Sequence, residues 1–177
     1  DKPVNRLSEY IDAVKTCFDS FRQRKCVPFQ GKFYNLSRLQ EEFIPESLGD
    51  VRVPEIWLGA VGPRFSALAA EQCDGLITHP TNSHSLHLRE NVIPLIHSTL
   101  GANRKRIFPV IAAPLTVVTD DAEEREKLIE EKKRMLAFLY STPAYAPTLE
   151  LLGFKDLGED LRKRFSIGEG KDNYRLI

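Results

Sequence analysis

Between residues 54 and 140, short apolar segments alternate with amphipathic segments of helical period, and this alternation constrains the fold most strongly. Three segments are rich in β-forming residues and too short to be helices, which is typical of buried strands: Glu55–Ala60, Leu76–His79 and part of Ile107–Thr119. A helical segment follows each of them. Because such alternation implies parallel strands joined by right-handed crossovers, the sequence predicts an α/β fold with a parallel sheet.

The helical segments are marked by apolar residues at three- and four-residue spacings. Pro63 suits the first turn of a helix, and Pro94 lies inside a helical pattern, where it is expected to cause a kink. Four longer helices are predicted: about Asn5 to Arg24, Pro63 to Asp74, His84 to about Leu100, and from Asp120 or Asp121 to about Tyr140.

The rest of the chain is predicted to be shorter elements and loops. Phe29–Tyr34 reads as a small hairpin or tight loop around Gly31, and residues 37–54 as a long connection. Two short helices are expected near Thr148–Leu152 and Leu157–Phe165, and no clear element in Ser166–Ile177. We therefore expect one domain over residues 1–177, made of a helix and insertion loop (1–53), a βαβαβα core (54–140) and a helical tail (141–177).

Two architectures fit this order of elements: a section of a (β/α)8 barrel and a small doubly wound sheet. Three strands do not close a barrel, which needs eight strands and about 250 residues. A doubly wound domain would have helices on both faces of its sheet and would bind phosphate without a redox cofactor. The residues alone leave both architectures open.

The charge and the cysteine content restrict the classes of binding partner and the cellular compartment that we expect. The 25 basic and 25 acidic residues cancel, which argues against nucleic acid or an anionic membrane as a partner. The three cysteines lack metal-binding spacing, and no apolar run has membrane-spanning length, so we expect a cytoplasmic protein. The chain begins at Asp1 rather than Met, from which we expect a processed or truncated product.

Ligands of parallel α/β folds bind at the carboxyl ends of the strands, and three segments follow strand ends here. They are Ala60–Pro63, Thr78–Thr81 and Thr116–Asp120. Gly62 allows backbone to approach a ligand closely, and the helix start behind it suits a phosphate. His79 is a candidate hydrogen-bond donor to such a ligand, although it fits equally well as a histidine bonded to a neighbouring loop carbonyl.

The other candidate groups carry weaker signals. His84, His87 and His97 have no carboxylate that would complete a metal site, so we expect surface histidines and no metal. The basic run Arg104–Arg106 precedes a strand and is expected at its amino end, away from the site. Phosphate-binding, dinucleotide-binding and nucleophile-elbow motifs are missing from the sequence, and the catalytic residues stay unassigned.

Two adjoining segments, Pro54–Arg64 and Leu68–Pro80, together resemble the luciferase-like monooxygenase family, and most closely its branch of coenzyme F-420-dependent oxidoreductases. Phe29–Tyr34 resembles the family's F-x-G-x-F-Y loop, and Ser141–Tyr145 with Leu151–Phe154 resembles a late helical region of the same branch. The resemblance covers almost the whole chain.

The resemblance implies a (β/α)8 barrel that uses FMN or F-420 to move a hydride to, or to oxygenate, a small organic substrate. It implies that the chain provides roughly strands five to seven and that the cofactor, mainly near its phosphate, contacts Ala60, Val61, Gly62, Thr78 and His79. Many family members have two glycines where this chain has Val61 and Gly62. The first four strands of the barrel are not in this chain. The expected partner is therefore the missing N-terminal half of the barrel, and the alternative is a homo-oligomer of this chain.

A second interpretation is a noncatalytic α/β scaffold derived from the same barrel. Such a protein would pair with another chain to cover the open edges of its sheet.

Overall fold

The computed structural model describes residues 2–46, 49–101 and 107–177, so the basic run Arg104–Arg106 lies outside the described residues. The α-helices are α1 (Pro3–Gln23), α2 (Pro63–Gln72), α3 (Ser85–His87), α4 (Ile93–Leu100), α5 (Ala122–Tyr140), α6 (Ala146–Leu151) and α7 (Lys155–Ser166). The strands are β1 (Phe29–Gln30), β2 (Asn35–Leu36), β3 (Trp57–Ala60), β4 (Gly75–Thr78) and β5 (Val110–Ile111). Short 3-10 turns occupy Glu41–Phe43, Pro80–Asn82, Pro143–Tyr145 and Gly170–Leu176.

The central sheet has the order β3-β4-β5 and both of its pairings are parallel, as predicted. Strand β5 is much shorter than the segment Ile107–Thr119 in which a strand was expected. Pro109 and Pro114 lie on either side of it, and proline has no N–H to donate to a ladder. The pairing of β4 with β5 is therefore limited to Leu76 with Val110 and Ile77 with Ile111.

One face of the sheet packs against helices and the other face is open to solvent. The buried cluster on the covered face joins α1, α2, α4 and the sheet: Ile11, Ala60, Leu68, Ala69, Ala70, Cys73, Leu76, Val92 and Ile96. On the opposite face Gly59 is exposed, Ile77 is 38% exposed and Ile111 is 48% exposed. A doubly wound sheet is covered on both faces, so this alternative is wrong. A mixed α/β fold with a parallel sheet covered on one face is consistent with a fragment of a barrel.

The helical stretch from Ser85 to Leu100 contains one wide turn just before Pro94, and the kink expected at Pro94 stays a prediction. Residues Leu88–Val92 form a π-helical turn, in which the N–H of Ile93 donates to the carbonyl of Leu88. Proline lacks an N–H and crowds the carbonyl one turn before it. The wide turn lies just before Pro94 and so accommodates the proline within a continuous helical stretch.

Of the two structures predicted for Phe29–Tyr34, the hairpin is present, with its second strand just after that segment at Asn35–Leu36, and a carboxylate from α1 holds its tip. Strands β1 and β2 pair antiparallel, and the N–H of Gly31 donates to the carbonyl of Tyr34. The Glu9 carboxylate accepts three backbone N–H bonds, from Lys32 at 3.0 Å, Phe33 at 2.6 Å and Tyr34 at 2.7 Å. Burial raises the pKa of Glu9, but these three bonds and the charge of Lys32 outweigh it and lower the pKa overall.

Replacing Glu9 by Gln is expected to loosen the hairpin, because a neutral amide accepts backbone hydrogen bonds more weakly than a carboxylate does. Amide exchange at Lys32, Phe33 and Tyr34 should speed up several-fold, while Glu71→Gln on the exposed side of α2 should leave it unchanged. In the unaltered protein the same loosening should appear as the pH falls below 4.5, the ordinary pKa of Glu, through the lowered pKa of Glu9. Unchanged exchange in the Gln variant would show that the carboxylate does not hold the hairpin.

The tail Ser166–Ile177, for which no element was predicted, forms the 3-10 turn Gly170–Leu176 and packs on α5. Asn173 is fully buried and donates from Nδ2 to the carbonyl of Leu161 at 3.2 Å. The guanidinium of Arg134 lies 3.7 Å from the centre of the Tyr174 ring. These contacts organise a segment whose sequence has no helical period. Among the described helices, none has the length and apolar character needed to cross a membrane.

Candidate functional site

The two strand ends that the sequence singled out lie side by side. Ala60 and Thr78, the last residues of β3 and β4, pair directly, so the Val61-Gly62 turn and His79 leave the sheet at the same edge. Ala60 and Thr78 are themselves buried, whereas Val61 and Gly62 line a cavity of about 490 Å³. The geometry expected for these residues is confirmed, but only the turn reaches the cavity.

Gly62 opens helix α2 and leaves room in front of the helix start. It is the N-cap, with φ −88° and ψ 161°, and has no side chain to cap the helix. A Cβ built at this position would meet no atom of the described residues within 4 Å. The N–H of Ser66 already donates to the carbonyl of Gly62 at 3.1 Å, whereas the N–H groups of Arg64 and Phe65 fall in the unpaired first turn. An anion placed here would find unpaired donors and the positive end of the helix dipole.

Asn82 joins the two strand ends, a role that its position in the loop did not reveal. Its side chain is 1% exposed, and Oδ1 accepts the N–H of His79 at 2.8 Å. Nδ2 donates to the carbonyls of Ala60 at 3.4 Å and Val61 at 3.2 Å. The sequence analysis did not single out this residue. The signal that could have found Asn82 is an amide side chain three residues after the predicted strand Leu76–His79, able to donate and accept at once.

His79 is bound to its own loop and stacked on an aromatic ring. The N–H of Thr81 donates to Nδ1 at 3.4 Å, and the Thr81 hydroxyl lies 2.8 Å from the same atom. Nδ1 is therefore the acceptor, and the ring proton lies on Nε2. The ring is parallel to that of Tyr145, with centroids 5.2 Å apart. The partners of Nδ1 are a hydroxyl and an N–H of the loop and not the loop carbonyl that was the alternative, and a bond from His79 to a ligand stays a prediction.

Hydroxyl groups connect β4 to the chain that follows β5. The Thr78 and Ser83 hydroxyls are 2.7 Å apart, and Thr78 also donates to the carbonyl of Ile111 at 3.2 Å. Ser83 Oγ accepts the N–H of Ala113 at 3.0 Å. These bonds extend the short pairing of β5, and they explain why Thr78 contributes to the frame of the site rather than to the wall of the cavity.

His87 was expected on the surface, and this expectation is wrong. The residue is 8% exposed and lines the cavity, whereas His84 and His97 are exposed. Its Nδ1 lies 3.2 Å from Nδ2 of Asn91 and 3.4 Å from Oγ1 of Thr148. Burial, and then the nearby His84, lower the pKa of His87 below 6.5. The ring is therefore neutral at neutral pH, with Nδ1 as an acceptor and the proton on Nε2.

The lowered pKa of His87 makes the stability of the fold depend on pH. Since the unfolded chain binds this proton more readily, the free energy of unfolding should fall as the pH drops below 6.5 and towards the lowered pKa. It should level off above 6.5. Urea unfolding between about pH 5.5 and pH 7.5 measures this slope, and His87→Gln should reduce it. An equal slope in the two proteins would show that His87 does not titrate on unfolding.

The cavity lies behind the Val61-Gly62 turn, between the start of α2, the helical stretch 85–100 and the chain around α6. Its lining comprises Val61, Gly62, Pro63, Ser66, Asn82, His87, Asn91, Val92, Leu95, Ala144, Pro147, Thr148, Glu150 and Leu151. The predicted segment Thr116–Asp120 does not contribute to this wall. In the part of the chain that the structure describes, no three His, Cys, Asp or Glu residues are grouped so as to hold a metal.

The chain is similar to known proteins over nearly all of its length. The sequence profile of the luciferase-like monooxygenase family matches residues 1–175. An uncharacterized protein of Mycobacterium tuberculosis is 28% identical over 169 residues, which cover 94% of this chain and 49% of the relative. A second protein of that organism, named "Putative coenzyme F420-dependent oxidoreductase", is 26% identical over 99% of this chain and 53% of its own length.

A 5,10-methylenetetrahydromethanopterin reductase of Archaeoglobus fulgidus is 23% identical over 78% of this chain and 38% of the relative. The chain thus spans about half the length, or less, of the curated relatives that it matches. No solved structure matches it significantly. Because the family profile matches almost every residue, the chain belongs to the luciferase-like monooxygenase family.

Proposed function

We propose that this chain forms strands five to seven of a luciferase-like barrel, with β3, β4 and β5 in those places, in an oxidoreductase that uses F-420 or FMN. The Val61-Gly62 turn and His79 would contact the phosphate of the cofactor, with Ala60 and Thr78 beneath them. The observation that carries the proposal is the open start of α2, where no described atom would touch a Cβ at Gly62. That opening is at the edge of the sheet where ligands of parallel α/β folds bind.

The residues present fit a phosphate group. The N–H groups of Arg64 and Phe65 can donate to phosphate oxygens, and the Arg64 side chain is exposed at the same helix start. His79 has a proton on Nε2 to donate, and Asn82 fixes the distance between the two strand ends. When bound, the cofactor supplies hydride transfer or oxygen activation. These residues of the chain hold one end of it and fix its position.

The remaining strands of the barrel have to come from outside the described sheet. Within residues 2–46, 49–101 and 107–177, no further strand pairs with the outer edges of β3 and β5, and the face with Gly59, Ile77 and Ile111 is exposed. We propose that the first half of the barrel covers them, either as another segment of the same protein or as a partner chain. The side of the cofactor that reacts, the small organic substrate and the catalytic groups would then lie largely on that half.

Titration with F-420 and FMN, followed by cofactor fluorescence, tests the proposal. The chain by itself should bind weakly, because it offers only the phosphate side of the pocket. Any longer product of the same gene should bind one of the cofactors in the micromolar range or tighter. Binding of neither cofactor by the longer product would overturn the oxidoreductase proposal. It would favour the noncatalytic scaffold, which the uncovered sheet face also supports and which predicts a partner chain instead of a cofactor.

A further inference from the structure

The imidazole of His79 is held at its edge by its own loop and on its face by a distant part of the chain. At the edge, the Thr81 hydroxyl lies 2.8 Å from Nδ1, and the Thr81 N–H donates to the same atom at 3.4 Å. On the face lies the ring of Tyr145, parallel to within 10° and with its centroid 5.2 Å away, which is a favourable offset stack. Rotation of the imidazole about its Cβ–Cγ bond would disrupt both contacts at once.

The loop partner of His79 is fixed in turn by α5. Thr81 is fully buried, and its carbonyl accepts the hydroxyl of Tyr140 at 3.3 Å. Burial raises the pKa of Tyr140, so this hydroxyl keeps the proton that it donates. Tyr140 ends α5, and Tyr145 ends the 3-10 turn that follows it. Two aromatic side chains from one short segment therefore set the position of the strand-end loop and the orientation of its imidazole.

A fixed imidazole matters because its two ring nitrogens have different roles. With Nδ1 as an acceptor in the loop, the proton lies on Nε2, the atom that the proposed function assigns to the phosphate. A ring that was free to turn would have to be immobilised when the ligand binds, at a cost in affinity. The bonds from Thr81 hold only one edge of the flat ring, whereas the stack on Tyr145 also opposes tilting.

We infer that Tyr145 is a positioning residue for the anionic ligand: its ring keeps the imidazole of His79 in one orientation and one tautomer, with Nε2 protonated, before the ligand binds. The inference rests on the proposed function, because it takes the phosphate as the acceptor of the Nε2 proton. Tyr145 acts through its ring, and its hydroxyl has no part in the stack. Phenylalanine should therefore replace it without loss, whereas leucine, which is apolar but has no aromatic face, should not.

The ¹⁵N signals of the His79 ring test the positioning without any ligand. At a pH where histidine is neutral, one fixed tautomer gives well-separated signals for Nδ1 and Nε2, and exchange between tautomers brings the two signals together. They should be well separated in the original chain and in Tyr145→Phe, and closer together in Tyr145→Leu. Unchanged separation in the leucine variant would overturn the inference, whatever the ligand proves to be.

Titration of the longer gene product with F-420 and FMN then tests whether the ligand uses this proton. For whichever cofactor binds, Tyr145→Leu should weaken the affinity about threefold to tenfold, and Tyr145→Phe should retain it. In a His79→Ala background Tyr145→Leu should have no further effect, because a positioning residue acts only through the group that it positions. An equal loss in both backgrounds, or no loss in either, would overturn the inference and leave the proposed cofactor site standing. Binding of neither cofactor by the original longer product would instead overturn the proposed function.

Discussion

Gly62→Asp should weaken binding of a phosphate-bearing ligand by about fivefold or more and leave the fold as stable as before or slightly more so. Gly62 has N-cap geometry with backbone angles that aspartate adopts readily, and the new side chain would meet no described atom within 4 Å. Its carboxylate would accept the free N–H groups of the first turn and gain a few tenths of a kcal/mol. The same carboxylate would occupy the place of the phosphate. Repulsion between two anions about 4 Å apart amounts to roughly 1–4 kcal/mol at dielectric constants between bulk water and a protein surface, which is a loss of affinity of roughly fivefold to about 900-fold.

Gly62→Asn is the matched control, because asparagine has the same shape and capping ability without the charge. Affinity should fall in the order glycine, asparagine, aspartate, while the midpoints of thermal unfolding of all three proteins stay within a few degrees. Cofactor titration of the longer gene product gives the affinities, and the amide shifts of Arg64 and Phe65 on addition of inorganic phosphate report on the isolated chain. If the aspartate variant bound the cofactor as well as the original protein, the phosphate would have to lie elsewhere.

Asn82→Ala should be the most destabilising single change at the site, with a loss of about 3 kcal/mol in the free energy of unfolding. The alanine would leave the N–H of His79 without its partner and would remove the donor from the carbonyls of Ala60 and Val61. Each buried polar group left unsatisfied costs about 1–3 kcal/mol. Urea unfolding monitored by Trp57 fluorescence measures the loss.

Asn82→Asp distinguishes the role of the Asn82 side chain as an acceptor from its role as a donor. The carboxylate keeps an acceptor for the N–H of His79 but faces the two carbonyls of β3 without a proton to give. Its destabilisation should therefore diminish as the pH falls and the carboxyl becomes protonated. Asn5→Ala, at an exposed position of α1, is the control and should change stability by less than about 0.5 kcal/mol. A small loss in Asn82→Ala would show that the strand ends hold together without this side chain.

The elements that could be predicted from the sequence are those whose signals are local. Pro63 starts α2, and Asp121 caps α5 by accepting the N–H of Glu124, because capping and proline geometry are decided within one turn. The parallel alignment of β3 and β4 followed from the helix between them. The tail after Ser166 was missed because its order depends on distant partners on α5, not on its own periodicity.

In the candidate site, too, some residues could be predicted from the sequence and others could not. Gly62 and His79 could be placed at one edge because strand ends meet there by topology alone. Asn82 and His87 could not be assigned, since an amide or imidazole gives no sign in sequence of what lies within hydrogen-bond distance of it. His87 is buried by Thr148, which follows 61 residues later, and no spacing rule connects the two.

The wide turn before Pro94 also sets which side chains face the cavity. An α-helix rotates by about 100° per residue, so one extra residue in the turn offsets everything before it from everything after it by about that angle. His87 and Asn91 lie before or within Leu88–Val92, whereas Leu95 follows it, and all three line the same wall. If the turn became regular α-helix with every residue retained, His87 would swing by about 100° off that wall, whereas deleting one residue between 88 and 92 would give a regular helix and leave His87 on it. Relatives with one residue fewer here should accordingly have a regular helix and still present the residue aligned with His87 to the cavity, and alignments should place a one-residue gap at this turn.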